Sequence, residues 1–372
     1  MRPLLLCLCA AAPLVAQEPA AGFRNVARTG VVFDAYYFGS RYAIDHIVEW
    51  TVPVSLSHRL GDRLTVDLSS AYAHASAATT SGNLELSGAT DTDLRLAWAA
   101  VSGHLVASVV GSLPTGKKAV AASSVPLLSA LGTELLGFTT PGFGTGGGVT
   151  GGFATAFKVG ERWAAGVGGS YRWRAAYAPV AGSGDLEPGG EGRARLGVEG
   201  PIGGGGYFRG AAVFATSGAD TLAAGARSIS GARVLIYSGL SLPAGRGSLS
   251  LYAYDRYRVC PSGYDTSVVQ VPRGNVVALG ARLERPLSAA LSLAPNVEFR
   301  DELADDPRSG NLVLLGWLVR PGVDLRYRAS GAVTVLLQGQ AAFGRLANSG
   351  GGAAGSVSAV GPRALVLLDW TR

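Results

Sequence analysis

The sequence has few charged side chains and no long apolar run, and each shortage excludes a class of protein. Charged residues make up 16% of the 372 positions, whereas ordinary soluble domains carry about 25%. No internal stretch reaches the roughly 18 consecutive apolar residues that a spanning helix requires. These two observations argue against an ordinary soluble protein and against a helical membrane protein.

The composition is nevertheless apolar, with 48% hydrophobic residues and a mean hydropathy of +0.26. Aliphatic and aromatic residues are too abundant for an intrinsically disordered chain. A hydrophobic chain without long hydrophobic runs is typical of β-strands that place an apolar residue at every second position in a membrane. We therefore expect a transmembrane β-barrel.

The first residues are typical of a secretory signal. Arg2 precedes an apolar stretch at 4–15, and Ala16 offers a small residue for cleavage. We expect a signal peptide at 1–16, an unstructured region to about residue 22, and one barrel domain over 23–372. A buried first strand or a membrane anchor is the alternative.

Cysteine is scarce, and its positions bear on how the exported chain is stabilised. Two of the 3 cysteines, Cys7 and Cys9, lie inside the predicted signal and would be removed with it. Cys260 then remains alone, so the mature chain has no intramolecular disulfide. Backbone pairing and burial must hold the fold.

Alternation with a two-residue period recurs along the mature chain. Leu94, Leu96 and Trp98, for example, alternate with Asp93 and Arg95, which puts all the apolar side chains on one face of a strand. The predicted strands are 30–38, 46–59, 63–75, 91–101, 104–112, 147–158, 163–177, 190–200, 206–216, 227–242, 247–258, 273–285, 289–300, 311–327, 332–345 and 356–370.

The predicted strand lengths and connections indicate the fold class. Most segments have 9–15 residues, enough for a tilted strand, which crosses the hydrocarbon in about 9–11. Brief connections alternate with longer ones such as 76–90 and 113–146, as in barrels with periplasmic turns and external loops. We predict an all-β, antiparallel up-and-down transmembrane barrel of about 16 strands (range 12–16). We place it in the outer membrane of a Gram-negative envelope, with both termini in the periplasm.

Two hairpins allow the expected pairing to be written down. Residues that face each other across an antiparallel pair lie on the same face. Folding about 286–288 pairs Leu283 with Leu291, and folding the 311–327 and 332–345 strands together pairs Tyr327 with Val333. Both pairings put apolar residues opposite each other, and a slip by one residue would turn charges to the lipid.

If the aliphatic side chains face lipid, the other parity lines the interior. Charges on the lipid face cost about 2–4 kcal/mol each for Arg or Lys at the midplane, so these side chains need water or partners. The surplus of arginine among these inward side chains would attract anions modestly. Alternatively, the arginines would merely pair with acids such as Asp34 and Glu49. The predicted pore-lining residues are Asp67, Asp93, Arg95, Arg172, Arg174, Arg193, Arg195, Arg209, Arg282, Arg300 and Arg326.

The connection at 113–146 has an apolar segment unlike an ordinary external loop. Ser124, Pro126, leucines at helical spacing and Gly137 predict a short helix. We expect residues 125–137 to fold into the barrel, narrow the pore and offer an apolar contact, or else to cap the rim. The predicted constriction residues are Pro126, Leu128, Leu131 and Leu135. The wall residues expected to make room for them are Gly152, Ala154, Ala156, Gly166 and Gly168.

No pattern in the sequence carries a catalytic or cofactor site. Gly142, Gly144 and Gly147 have the spacing of a phosphate-binding loop, but a strand follows them where a helix is needed. His46 and His74 would come close on paired strands without a nucleophile or an acid beside them. We therefore predict no enzymatic activity, no cofactor and no metal. The bases are spread over many strands, so nucleic acid is not an expected partner.

One corner of the chain resembles a known family. The segment at 91–94 and the Gly-Ser-Leu-Pro-Thr-Gly segment at 111–116 resemble the outer-membrane barrels associated with the meta-pathway of phenol degradation. More distantly, they are similar to barrels that transport long-chain fatty acids and aromatic hydrocarbons. The resemblance implies passive uptake of hydrophobic small molecules.

The expected function is therefore passive passage of small, hydrophobic or aromatic, solutes through an outer-membrane channel. The alternatives are a general porin, a structural or surface barrel with a closed lumen, and an outer-membrane hydrolase. The expected partners are outer-membrane lipid and lipopolysaccharide, a small-molecule solute and the barrel-assembly machinery.

Overall fold

The computed structural model describes residues 25–40, 42–101, 104–222, 225, 227–229, 231–259, 262–264, 269–271, 273–305, 311–347 and 355–372. The predicted signal peptide at 1–16 and Cys260 lie outside these residues. Strands are numbered β1 to β22 in chain order, and most of them belong to one antiparallel sheet.

The first half of the chain supplies eight strands of this sheet. They are β1 (Asn25–Phe38), β2 (Ile44–Leu60), β3 (Leu64–Thr79), β4 (Gly82–Ala89), β5 (Thr92–Val101), β6 (Leu105–Leu113), β7 (Gly148–Val159) and β8 (Trp163–Arg174). Both β4 and β5 pair with β3, one above the other. Together they occupy one position of the wall, interrupted at Thr90 and Asp91.

The second half supplies the remaining strands and closes the sheet. They are β10 (Glu191–Ile202), β11 (Gly206–Ser217), β14 (Arg233–Ala244), β15 (Gly247–Arg258), β18 (Gly274–Pro286), β19 (Leu291–Asp305), β20 (Leu312–Arg328), β21 (Val333–Ala347) and β22 (Ser356–Thr371). β1 pairs with β22, so the sheet is a closed barrel of 16 wall positions. The predicted fold class and strand number are confirmed.

The outer surface of the barrel is apolar. Side chains such as Leu196 and Phe153 are 62% and 57% exposed, and they alternate along their strands with charged or small residues that point inward. Aromatic side chains form a belt at each end of the wall, with Trp98, Tyr327 and Trp370 at the turn end and Tyr171 and Trp173 at the loop end. This pattern places the wall across a bilayer. The chain is a transmembrane β-barrel of the outer membrane.

Connection lengths alternate as predicted, with one correction. The short connections are at 61–63, 102–104, 160–162, 203–205, 245–246, 287–290 and 329–332, and the described strand ends near Asn25 and Thr371 lie at the same end of the barrel. The long loop predicted at 76–90 is wrong, because β3 continues to Thr79 and turns directly into β4. Its inward residues are Ala77, Leu84 and Leu86, and its outward residues include Ser76 and Glu85, so the alternation is the reverse of the apolar-outward pattern.

Both predicted hairpin registers are wrong by an even number of residues. Leu279 pairs with Phe299, whereas the predicted register places it opposite Pro295, and Tyr327 pairs with Val335 instead of Val333. The two turns lie at 287–290 and 329–332, and a serine side chain stabilises each of them. The Ser288 Oγ atom accepts the N–H groups of residues 290 and 291, and Ser330 does the same for 332 and 333. An even slip leaves every side chain on its predicted face.

A second, smaller sheet stands at the loop end of the barrel. It contains β9 (Leu186–Glu187), β12 (Ala219–Leu222), β13 (Arg227–Ile229), β16 (Ser262–Tyr264) and β17 (Val269–Val271). These strands come from three successive long connections, so the loops on that side are paired with one another.

Helical structure is confined to short pieces. A 3-10 turn (Ala122–Ser124) leads into helix α1 (Val125–Leu131), and a second 3-10 turn (Gly203–Gly205) lies between β10 and β11. In the described part of the chain, no helix is both long and apolar enough to span a membrane. The helix predicted to continue to Gly137 is shorter than expected, since it ends at Leu131 with Gly132 as its C-cap.

Candidate functional site

The connection between β6 and β7, residues 114–147, folds into the barrel. We call it the inserted loop. Both of its ends are fixed by Asp91, at the interruption between β4 and β5. The Asp91 carboxylate accepts the Gly116 N–H at 3.1 Å and the Thr145 N–H at 2.6 Å. The two segments that carry the family resemblance are therefore the base of this loop.

The apolar side of the inserted loop packs against the inner wall. Leu127 and Leu131 are 0% and 1% exposed, and they belong to one cluster with inward alanines of β3 that are equally buried. Small wall residues leave the space that the leucines fill. The cluster contains Tyr36, Ile47, Ala73, Ala75, Ala77, Leu86, Val120, Leu127, Leu131, Leu135, Leu136, Phe138, Phe143, Leu318, Ala342, Leu346 and Ala359.

Two buried carboxylates of β1 and β2 bind the backbone of the inserted loop. Glu49 accepts the N–H groups of Thr139 at 3.0 Å and Thr140 at 2.8 Å, and Asp34 accepts the Thr139 hydroxyl at 2.9 Å. Asp34 and Glu49 are 2% and 1% exposed. Charge-assisted bonds of this kind contribute about 1.5–3 kcal/mol each, so they fix the loop firmly.

Arginines of β19 and β20 bind the carbonyl groups of the same segment. Arg320 donates to the carbonyl oxygens of Leu135 and Leu136, and Arg300 donates to that of Glu134 at 3.2 Å. Both guanidinium groups also pair with the Glu298 carboxylate. The inserted loop is therefore held by hydrogen bonds from β1 and β2 and from β19 and β20, and its Glu134 side chain also pairs with Arg256 of β15 at 2.7 Å.

Burial differs between individual inward arginines of the two halves of the inner wall. Under the inserted loop, Arg300 and Arg320 are 4% and 3% exposed. On the other half, the side chains of Arg209, Arg233 and Arg256 are 45%, 43% and 41% exposed. We call the inner face of β5–β8, β10, β11, β14 and β15 the open wall, because none of its described residues belongs to the buried cluster that the inserted loop forms.

Charge differs between the two halves as well. Under the inserted loop, ionic groups pair with one another, as in Arg28 with Asp369 and Arg363 with Asp34. The open wall has more arginines than acids on its inward parity. Its arginines are Arg95, Arg172, Arg174, Arg193, Arg195, Arg209, Arg233, Arg256 and Arg258, and its acids are Asp93, Glu191 and Glu199.

The residues predicted to line the pore all lie on strands of the barrel wall. Seven of them, Asp93, Arg95, Arg172, Arg174, Arg193, Arg195 and Arg209, belong to the open wall. Asp67 lies on β3 and binds Arg95 at 3.0 Å, while Arg282 binds Glu284 and Asp324. Arg300 is buried against the inserted loop, and Arg326 is half-buried on β20. Their role in lining a pore stays a prediction.

The four predicted constriction residues are not equivalent. Leu131 and Leu135 are buried against the wall, Leu128 is half-buried, and Pro126 is exposed. Ser129, Gly132 and other small residues accompany Pro126 on the exposed side. The surface that the loop leaves uncovered is therefore only weakly apolar.

The wall expected to receive the inserted loop is the wrong one. Gly152 and Gly168, with the other predicted small residues, lie on β7 and β8, whereas the loop packs on β1–β4 and β19–β22. The alanine series of β3 supplies the space instead. The small residues of β7 and β8 stay clear of the loop and widen the open side.

Other residues of the site have no signal in the sequence. Thr139 and Thr140 bind Glu49 through their backbone, which no residue pattern reveals.

His74 lies opposite Trp50, four positions from the partner of His46, so the two histidines are not paired. Among the described residues, no group of three or more metal-ligating side chains is close enough to hold a metal ion.

Comparison with known proteins gives likeness of fold alone. No family model and no curated protein matches the chain. Among solved structures, the deltaS2 mutant of the TodX monoaromatic hydrocarbon channel has 10% identity and a TM-score of 0.49, with 95% of this chain and 91% of that chain covered. The CymD monoaromatic hydrocarbon channel has 12% identity and a TM-score of 0.43, with 93% and 88% covered.

A further neighbour is the anion-selective porin from Comamonas acidovorans, with 13% identity and a TM-score of 0.40 over 93% of this chain and 99% of that chain. The solutes and selectivity in these names belong to those proteins. Two of the three are channels for aromatic hydrocarbons, the wider group named by the sequence resemblance.

Proposed function

We propose that the protein is a passive outer-membrane channel for small solutes, with a preference for anions. The passage runs between the inserted loop and the open wall. In this proposal, the seven predicted pore-lining residues that belong to the open wall line the passage. The inserted loop narrows the lumen from the other side.

The observation that carries the proposal is the unequal burial of inward arginines. The inserted loop buries Arg300 and Arg320, whereas the side chains of Arg209 and Arg233 are more than 40% solvent-exposed. Large inward side chains with that exposure need water around them. A water-filled route beside a wall with a surplus of arginine concentrates anions, because a low-dielectric surround focuses the field.

A hydrophobic solute finds less support in this geometry. The leucines of the inserted loop face the wall, and the open wall offers arginines, small residues and tyrosines. We therefore propose polar anionic solutes ahead of hydrocarbons. Contact with lipopolysaccharide, insertion by the barrel-assembly machinery and removal of residues 1–16 remain predictions.

The test is the reversal potential of the purified protein in planar bilayers under a KCl gradient. We expect chloride to permeate more readily than potassium. Replacing Arg193 and Arg195 together by glutamine should lower the chloride-to-potassium permeability ratio severalfold. Arg246→Gln removes the same type of charge from an exposed turn and should leave the ratio unchanged.

The alternatives give different results in the same experiment. A general porin would conduct without charge preference, and a structural barrel would not conduct at all. A clear preference for potassium would contradict the arginine argument, and an absence of current would contradict the channel.

A further inference from the structure

Three neighbouring inward tyrosines on β14 and β15 of the open wall are not required for passive passage. Tyr237 on β14 pairs directly with Tyr254 on β15, and Tyr252 lies opposite Gly239. Their neighbour Ile236, on the other parity, is 55% exposed on the lipid side. The three rings therefore form one patch on the lumen side, and each is half-buried.

Two of these rings lie against the wall because glycine stands beneath them. A Cβ atom on Gly239 would lie 2.8 Å from the Tyr237 hydroxyl, and one on Gly280 would lie 2.1 Å from the Tyr252 ring. The rings occupy the space that a side chain would otherwise fill. A ring that lies over the backbone in this way turns a face toward the lumen, and such faces stack with other rings.

The hydroxyl groups of the patch differ in their use. The Tyr252 hydroxyl donates to the Glu298 carboxylate of β19, so its donor is already used within the wall. Within the described residues, the hydroxyls of Tyr237 and Tyr254 form no hydrogen bond with the protein. These two can donate to a solute.

Two arginines of the open wall flank the tyrosine patch. Arg256 is two residues from Tyr254 on the same face of β15, and Arg209 lies directly opposite Gly239, over which Tyr237 leans. Residues in such positions lie within about 5–8 Å of each other. Arg256 pairs with the Glu134 carboxylate and Arg209 with that of Glu199, and the two arginine side chains are still 41% and 45% exposed. Both guanidinium groups are therefore accessible to a solute anion.

We propose that this patch is a weak binding site for small anions in which a carboxylate is attached to a ring. The ring stacks on Tyr237 or Tyr254, and the carboxylate binds Arg209 or Arg256. The site rests on the proposed channel function and gives it a solute class. An aromatic acid and a sugar acid share this chemistry, so both are tested.

The experiment measures how far solutes reduce the chloride current in planar bilayers. Benzoate is compared with hexanoate, and glucuronate with gluconate, because each pair differs mainly in the closed ring. We expect the ring-bearing anion to halve the current at a concentration about threefold to tenfold lower than its open-chain partner, the ratio expected for one stacking contact. Whichever pair shows the difference identifies the type of ring.

Variants connect the effect to the patch. Tyr237→Leu and Tyr254→Leu, made together, should abolish the difference between ring and open-chain anions while chloride current persists. Tyr171→Leu changes an outward tyrosine that is 59% exposed, and it should retain the difference.

The outcomes separate this site from the channel itself. Equal block by ring and open-chain anions in a conducting protein overturns the ring site alone, as does a difference that survives in the double variant. Absence of chloride current overturns the channel and the site together.

Discussion

At the scale of single residues, Gly137 shows how closely the inserted loop fits the wall. Its φ of 61° lies in the left-handed region, which residues with a side chain rarely adopt. A Cβ atom there would lie 2.2 Å from Arg300 Nη1. Glycine is required by the backbone conformation of the turn. It is also required by the position of the Arg300 guanidinium, which binds the Glu134 carbonyl oxygen and leaves no room for a side chain at residue 137.

Gly137→Ala should therefore destabilise the protein by about 1–3 kcal/mol, the range for a strained left-handed residue. The measurement is urea unfolding of the purified barrel in detergent micelles. Gly132→Ala is the matched control, since Gly132 has a φ of −71° and a Cβ there would meet its nearest atom at 3.5 Å. Equal midpoints for the two variants would contradict the fit described here.

Sequence reasoning at this scale predicts the face of a residue but not its partner. Alternation alone turned Glu49 and Arg300 toward the interior, as the structure has them. Their partners, Thr139 and Glu134, are 90 and 166 residues away along the chain. Backbone groups of a loop have no residue signature, so these contacts could not be predicted.

At the scale of elements, alternation located most strands and misjudged the turns and one hairpin. Strand faces depend on parity, which survives an even slip, whereas register depends on turn length. Ser288 and Ser330 stabilise the observed turns by accepting backbone N–H groups, an effect that hydrophobic patterning does not contain. The β3–β4 hairpin was missed because its apolar residues, Leu84 and Leu86 among them, face the inserted loop inside the barrel and not the lipid.

The inserted loop should be separable from the barrel. Its ends lie side by side, since a Cβ atom on Gly144 would be 2.6 Å from the Lys117 carbonyl oxygen, and the wall strands pair without it. Deleting residues 119–142 should leave a folded barrel with a larger single-channel conductance. The folded state is checked by the heat-dependent shift in electrophoretic mobility.

Variants with a shorter deletion act as the control for this experiment. Removing only 182–184, in a different external connection, should leave the conductance near that of the intact protein. An unchanged conductance after deletion of 119–142 would show that the loop does not narrow the passage.

At the scale of the whole molecule, the closed barrel and its place in the membrane follow from composition and period. The division of the lumen into a half covered by the inserted loop and an open wall does not follow from them. Alternation treats all inward positions alike, and only long-range contacts decide which wall the inserted loop covers. The small residues of β7 and β8 predicted that the inserted loop packs there, but Asp34 and Glu49 fix the loop on the other side.

The most direct test of that division is the accessibility of single cysteines in membranes, in a Cys260→Ser background, to a charged, water-soluble thiol reagent. Ala211→Cys lies on the open wall and Ala75→Cys beneath the inserted loop, where Ala75 is 0% exposed. We expect rapid labelling at 211, and labelling at 75 only after residues 119–142 are deleted. Equal labelling at the two positions in the intact protein, or protection at 211, would contradict that division.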